Sequence, residues 1–120
     1  MKALLADDPE LTVWWATIVE CESAVARRER RGEMEPEEAK RALQSLEGLQ
    51  RGWLEIPPSE QVREPARRLV RVHDLRTADA FQLAAARVAA DGQPGTLPFV
   101  TLDDRLALAA HREGFPIVGL

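Results

Sequence analysis

Four carboxylates lie at or near the predicted starts of helices, where they could act together. Glu20 and Asp79 fall in first helical turns, and Asp103 and Asp104 directly follow a short apolar run. Carboxylate oxygens are the ligands that Mg²⁺ or Mn²⁺ prefers, and these hard cations keep several bound waters. Such a water can attack a phosphodiester while the ion holds its oxygens. If the acids converge, they indicate metal-dependent hydrolysis of a phosphodiester.

Each acid also has a purely structural interpretation. Glu20 could complete a capping box with Thr17. Asp79 could interact with the dipole of the alanine-rich helix that it opens, an effect of roughly 0.3–1 kcal/mol. Asp103 or Asp104 could cap the helix that follows them. Both interpretations stay open for any one acid, whereas three acids meeting at one edge of a sheet would favour the metal site.

The segments that must position these acids alternate between strand and helix patterns. Short β-branched, aromatic or apolar runs predict strands, and amphipathic or alanine-rich runs predict helices. The predicted strands are 11–16 (LTVWWA), 52–58 (GWLEIPP), 99–102 (FVTL) and 115–120 (FPIVGL). The order β-α-α-β-α-α-β-α-β predicts an α/β fold with a parallel sheet covered on both faces. Ligands bind beyond the carboxyl ends of such strands, which is where we expect the acids.

The helix boundaries follow from capping and helix-breaking residues. Thr17 and Thr77 are predicted as N-caps of the helices that carry Glu20 and Asp79. A helix is predicted from Ser59 to about His73, with a break near Pro65. Gly114 is predicted to end the helix that follows Asp103 and Asp104.

Composition predicts a single domain, residues 1–120, in the cytoplasm. No apolar run approaches the roughly 20 residues of a membrane span, no signal peptide is recognisable, and Cys21 is the only cysteine. The net charge of −4 argues against a simple nonspecific nucleic-acid binder. Two arginine clusters, 27–31 and 67–71, could contact phosphate or form solvated helix faces.

The two histidines do not indicate a zinc site. His73 and His111 have no cysteine or histidine partners at the spacing of zinc ligands. We therefore expect both imidazoles to face solvent.

Three segments, in order, resemble a known family. VECESAVAR (19–27), LRTADAFQLAAA (75–86) and FVTLDDRLALAAHREGFPIV (99–118) look like the PIN domain, and specifically the VapC-type toxins of bacterial toxin–antitoxin pairs. The resemblance covers nearly the whole chain from about residue 12. It implies a three-layer α/β/α fold with a five-stranded parallel sheet. It also implies a metal-dependent endoribonuclease whose acids bind Mg²⁺ or Mn²⁺.

The resemblance assigns roles to individual residues. Glu20, Asp79 and Asp103 match the family's catalytic, metal-binding acids, with Asp104 as an adjacent metal ligand. Glu22 is the fallback for Glu20. Two further residues would bind substrate: Thr101, which matches a hydroxyl at the same strand end, and Arg76, beside the acids.

One family feature is missing from this sequence. Family members begin with a strand of the type IVLDTS, whose aspartate is a principal ligand and which lies between the strands matching VWW and FVT. Asp7 and Asp8 precede the first predicted strand, so we expect them at the opposite end of the sheet. We expect a start that is truncated relative to the family. The alternatives are a partner or second copy that fills the gap, and an inactive member.

Two functions from different classes follow. The first is a toxin ribonuclease that uses water as nucleophile, leaves a 5′-phosphate, and has RNA, an antitoxin and a second copy as partners. The second is a catalytically incomplete module that dimerises and binds an antitoxin-like peptide. The surface for the second function would be the apolar stripe of Leu43, Leu46 and Leu49. An exposed tryptophan at Trp14, Trp15 or Trp53 could add to it.

Overall fold

The computed structural model describes residues 11–118, with four strands and five α-helices in the predicted order. The strands are β1 (Thr12–Trp14), β2 (Leu54–Ile56), β3 (Phe99–Val100) and β4 (Ile117–Val118). The helices are α1 (Thr17–Arg30), α2 (Pro36–Gln50), α3 (Glu60–Val72), α4 (Thr77–Ala89) and α5 (Asp104–Arg112). The mixed α/β class is thus confirmed. Predictions for residues 1–10 and 119–120, including the position of Asp7 and Asp8, lie outside the described residues.

The strands form two separate parallel pairs. Strand β1 pairs with β2, with Thr12 opposite Leu54, and β3 pairs with β4, with Phe99 opposite Ile117. Within residues 11–118 no strand joins the two pairs, so neither the single sheet nor the implied five strands are observed there. Each strand has only two or three residues. Each pair therefore depends on the helix that packs against it, α4 on the first pair and α5 on the second.

Helix α4 is the centre of the core. Its residues Ala80, Leu83 and Ala84 are completely buried. They pack in one cluster with Leu69 of α3 and Leu106 of α5. Small alanine side chains allow helix backbones to approach closely, and the α3–α4 contact is the most extensive between elements. The alanine-rich segment that opens on Asp79 is thus the element on which its neighbours assemble.

Three predicted helix boundaries are wrong. Helix α1 has Ala16 at its cap position with no side-chain hydrogen bond, so Thr17 is its first residue and forms no capping box with Glu20. Thr77 is likewise the first residue of α4, after Arg76 at the cap. Pro65 lies inside an unbroken α3. That helix tolerates a missing backbone donor because its inner face is buried in the core.

No helix in the part of the chain that the structure describes is both long enough and apolar enough to cross a membrane.

Gly114 ends α5 in a backbone conformation that other residues rarely adopt, as predicted from its position. Its φ is +99°, and a Cβ added there would lie 3.2 Å from Cγ of Pro94. Gly114→Ala is expected to lower the free energy of unfolding by about 1–2 kcal/mol. The matched control is Gly48→Ala within α2, where a Cβ would meet nothing within 4 Å. The free energy of unfolding of the control, measured in urea, should rise by roughly 0.5–1 kcal/mol. Equal effects of the two changes would contradict this account.

Candidate functional site

Two of the predicted acids meet at one arginine. Nε of Arg76 lies 3.4 Å from Oδ2 of Asp79, and Nη2 of the same side chain lies 3.7 Å from Oδ2 of Asp103. Asp79 is in the first turn of α4 and is buried, whereas Asp103 precedes α5 and is half-buried. Two carboxylates that are far apart in sequence therefore share one guanidinium. The two acids thus lie close to one side chain, and their role as metal ligands stays a prediction.

The third acid, Glu20, is connected to α4 by a hydrogen bond from Gln82. Its Oε2 accepts a hydrogen bond of 2.5 Å from Nε2 of Gln82, which is three residues after Asp79 on the same helix. Burial raises the pKa of Glu20, the Gln82 hydrogen bond opposes this shift, and the negative charge of Asp79 raises the pKa further. Burial is the main cause of the raised pKa, and the neighbouring carboxylate is a smaller one. Gln82 was missed in the sequence, where the only signal was its position one turn beyond Asp79.

Asp103 also performs the structural role considered for it. Its Oδ1 accepts hydrogen bonds from the backbone N–H groups of Arg105, at 2.9 Å, and Leu106, at 3.3 Å. Oδ1 therefore caps α5, while Oδ2 is the atom that lies near Arg76. The two interpretations of this acid are compatible, because they use different oxygens of one carboxylate.

The remaining predicted site residues are placed less closely. Thr101 Oγ1 accepts a hydrogen bond of 3.0 Å from the backbone N–H of Asp103, which fixes the turn between β3 and α5. Asp104 is exposed at the first position of α5. Glu22 is exposed on α1, where its charge helps to raise the pKa of Cys21 after the larger effects of burial and Glu20. Only Asp79 and Asp103, and none of these three residues, form ion pairs with Arg76 among the described residues.

The oxygen atoms of the three acids suit a hard divalent cation. The guanidinium of Arg76, however, already lies against two of the carboxylates. All of the converging side-chain ligands are carboxylate oxygens, the type that Mg²⁺ and Mn²⁺ prefer. Among residues 11–118, no group of three or more His, Cys, Asp or Glu side chains is arranged to hold a metal. The carboxylates would therefore have to exchange the guanidinium of Arg76 for the ion. That exchange would replace one unit of positive charge beside the carboxylates by two.

Replacing Arg76 by alanine should therefore tighten Mn²⁺ binding. Its guanidinium is 76% exposed, and exposed ion pairs contribute about 0.2–1 kcal/mol, so the gain is at most about fivefold. Isothermal calorimetry measures this change. Arg105→Ala is the matched control, because that exposed side chain pairs with Asp74 instead, at 3.8 Å. Weaker Mn²⁺ binding by the Arg76 variant would show that the arginine orients the carboxylates rather than competing for them.

A second charged cluster, which was not predicted, joins α3, α4 and the residue after α5. Glu113, after α5, accepts hydrogen bonds from Arg68 and, at 3.1 Å, from Nη1 of Arg87. Its Oε2 also lies 2.7 Å from Nε2 of His73. The side chains of His73 and Glu113 are only 5% and 9% exposed. The prediction that His73 faces solvent is wrong, because the imidazole is a partner of this buried carboxylate, whereas His111 is exposed as predicted.

The arginine clusters divide between these structural roles. Arg68 points to Glu113, whereas Arg67 forms an exposed pair with Glu64 at 3.2 Å. Arg28 lies 3.9 Å from Glu33 in another exposed pair. These contacts are intramolecular ion pairs, which favours a structural role of the two clusters over contact with phosphate. Arg76 is thus the arginine that lies at the acids.

The arrangement as a whole provides three carboxylates and one exposed guanidinium around the start of α4. Carboxylates can bind a cation or accept a proton, and a guanidinium can contact a phosphate oxygen. Together they are suited to an anionic substrate whose charge a cation must offset. A scan of the chain against protein-family models finds no matching family, and a search of curated proteins finds no matching relative.

Proposed function

We propose that this protein is a metal-dependent endoribonuclease of the PIN type, related to the VapC toxins of toxin–antitoxin pairs. The observation that carries the proposal is the meeting of Asp79, in α4, and Asp103, the N-cap of α5, at the guanidinium of Arg76. Glu20 adds a third carboxylate under the influence of Asp79. The finer fold that accompanies this proposal is the three-layer PIN architecture, and its partners are RNA, an antitoxin and a second copy of the chain. The proposed location is the cytoplasm.

The chain's own residues have distinct roles in this proposal. Asp79, Asp103 and Glu20 would hold Mg²⁺ or Mn²⁺, with Asp104 at the edge of the site. When bound, such an ion supplies charge neutralisation at the phosphodiester and a water of lowered pKa.

Hydrogen bonds hold the acids in place for these roles. Gln82 restrains Glu20 by its hydrogen bond, and the backbone of α5 restrains Asp103 by the cap. These contacts limit the rotamers of the two carboxylates, so less ordering remains to be done when a cation binds. Arg76, once released from the carboxylates, would contact an RNA phosphate, for which its exposed guanidinium is suited.

A cleavage assay tests the proposal. Single-stranded RNA with a 5′ fluorophore is incubated with the full chain in Mn²⁺, in Mg²⁺, and in EDTA. We expect cleavage with either metal, none in EDTA, and labelled upstream fragments that end in a 3′-hydroxyl, which is the counterpart of a 5′-phosphate on the downstream fragments. Fragments ending in a 2′,3′-cyclic phosphate would contradict the proposal, because they indicate attack by the ribose hydroxyl. Absence of cleavage by the folded chain in both metals would also contradict it.

A second candidate is a non-catalytic binding module. The observation that favours it is the separation of the two strand pairs within residues 11–118, together with exposed apolar side chains beside them. Leu54 of β2 is 59% exposed, and Leu102 after β3 is 71% exposed. Contiguous exposed apolar surface is typical of interaction sites. This candidate predicts self-association or peptide binding with no metal-dependent cleavage, so the same assay discriminates the two functions.

A further inference from the structure

An aromatic groove opens at the carboxyl ends of β1 and β2. It has a volume of about 410 Å³ and is lined by Trp15, directly after β1, by Pro58, after β2, and by Phe81 of α4. Arg63 and Glu60 of α3 also line it. The groove is thus built from four elements that meet at one edge of a parallel strand pair. This is the edge at which ligands bind in α/β proteins.

One indole of this groove remains exposed although its neighbours are buried. Trp14 is 8% exposed and stacks on Phe81, with ring centroids 5.4 Å apart and ring planes inclined by 2°. Trp15 lies edge-on to Trp14, with centroids 6.5 Å apart, and is 54% exposed. The buried stack holds the backbone of Trp15 at a defined place. Its ring is then a flat apolar surface that a ligand can contact.

The groove is close to Glu20. Phe81 is followed by Gln82, whose Nε2 donates a hydrogen bond of 2.5 Å to the carboxylate of Glu20. Trp15 is followed by Ala16, whose backbone carbonyl accepts a hydrogen bond of 3.1 Å from the N–H of Glu20. A ligand that is bound through a phosphate at the acid site therefore has the groove near its adjoining groups.

The charge at the rim of the groove permits an anionic ligand. Arg63 forms an ion pair with Glu60, and both side chains are mostly exposed, at 67% and 60%. Exposed pairs of this kind are weak, so the guanidinium can turn to a phosphate at little cost. An aromatic plate beside a cation is how proteins bind single-stranded nucleic acid without strong sequence preference.

We propose that this groove binds one base of single-stranded RNA by stacking it on Trp15, as a substrate subsite of the acids described above. The proposal rests on the proposed function, whose substrate it places. Every base has a π face, so the subsite holds any of the four bases and sets the position of the neighbouring phosphate.

Binding measured without catalysis tests this proposal. The affinity of the full chain for a fluorescein-labelled hexamer of single-stranded RNA is measured by anisotropy in EDTA. Trp15→Ala is expected to weaken binding roughly tenfold, and Trp15→Phe is expected to retain most of the affinity because a ring remains. Trp53→Ala is the matched control. Trp53 donates from Nε1 to Glu55 at 3.0 Å, away from the groove lining, so its removal should leave the affinity unchanged.

An abasic hexamer separates stacking from charge. It keeps the phosphates and lacks the bases, so the native chain should bind it roughly tenfold more weakly than normal RNA. Trp15→Ala should bind the two hexamers equally. Equal binding of the two hexamers by the native chain would overturn the proposal, and this result decides the question even if the alanine variant does not fold.

The outcomes also separate this inference from the nuclease proposal. If Trp15→Ala loses affinity in EDTA while the native chain never cleaves RNA, base stacking stands and the proposed function fails. If the native chain cleaves RNA and Trp15→Ala binds as tightly as it does, the stacking site is overturned and the nuclease stands. Light scattering supplies the last comparison. A Trp15→Ala variant that changes the oligomeric state with unaltered RNA affinity assigns Trp15 to self-association and overturns the proposal.

Discussion

The Asp79→Asn variant is expected to lose metal-dependent RNA cleavage by roughly 100-fold or more while it keeps its fold. Removing a carboxylate that holds a catalytic cation costs several kcal/mol of transition-state stabilisation, and each 1.4 kcal/mol or so corresponds to about a factor of ten in rate. Asparagine has nearly the same shape as aspartate. The affinity for Mn²⁺ should fall with the activity, since the amide is neutral and a poorer ligand.

The fold should survive because the contacts of Asp79 are weak ones. Its ion-pair partner Arg76 is 76% exposed, and such a pair contributes about 0–1 kcal/mol. Loss of the negative charge in the first turn of α4 costs roughly 0.3–1 kcal/mol more. The expected decrease in unfolding free energy is therefore about 1 kcal/mol, which urea unfolding measures.

Asp91→Asn is the matched control for this variant. Asp91 lies just past the other end of α4, is exposed, and has φ of 51°, a conformation that asparagine tolerates. It should leave cleavage, Mn²⁺ affinity and stability unchanged. Unfolding of Asp79→Asn would assign the acid a structural role. Full cleavage by the folded variant would remove Asp79 from the site.

The second large effect is expected at the buried Glu113 cluster, where Glu113→Ala should lower the free energy of unfolding by about 3–5 kcal/mol. The change removes the carboxylate that joins α3, through Arg68 and His73, to Arg87 of α4. His73 is 5% exposed and Arg87 is 34% exposed, so their polar groups would lose a partner that water only partly replaces.

Exposed ion pairs provide the comparison for this effect. Glu64→Ala removes the partner of Arg67, in a pair whose side chains are 66% and 70% exposed. We expect that change to cost at most about 1 kcal/mol. Urea unfolding of both variants at neutral pH measures the difference. Similar small losses in the two variants would contradict the structural importance of the Glu113 cluster.

Protonation of Glu113 should make the free energy of unfolding depend on pH in the acidic range. Burial alone raises the pKa of Glu113, but the hydrogen bonds and positive charges of Arg68 and His73 outweigh it and hold the pKa below its ordinary value of 4.5. Because the folded pKa is lowered, this stabilisation is fully present well above pH 4.5 and is lost as the pH falls through the folded pKa. Glu113→Gln should show a smaller loss of stability than the native chain in that acidic range. An identical acid dependence of the two proteins would contradict this assignment.

Much of the local structure could be predicted from residue patterns. Hydrophobic periodicity and β-branched runs predicted the alternation of strands and helices, which the structure confirms in order. The sequence predicts Asp79 and Asp103 at one edge of a single sheet. Both carboxylates lie at Arg76, although the strands within residues 11–118 form two separate pairs. Helix boundaries were less accurate: threonines 17 and 77 became first helical residues rather than caps, a shift of one residue that sequence signals resolve poorly.

The contacts that could not be predicted depend on distant parts of the chain. Glu113 and His73 are 40 residues apart, and neither has a local pattern that distinguishes it from a solvated residue. The same holds for Gln82, which meets Glu20 across 62 residues. Pro65 shows the opposite case, since its local preference to break a helix is overcome by burial of the α3 face against α4. Tertiary packing decides such positions.

The most direct test of the central claim is a titration of the native chain with Mn²⁺ by isothermal calorimetry, beside Asp79→Asn. The account predicts saturable binding by the native chain that is lost in the variant, since Asp79 and its neighbours would hold the ion. Binding that is equal in both proteins, or absent from the folded native chain, would contradict the claim that these carboxylates form a metal site.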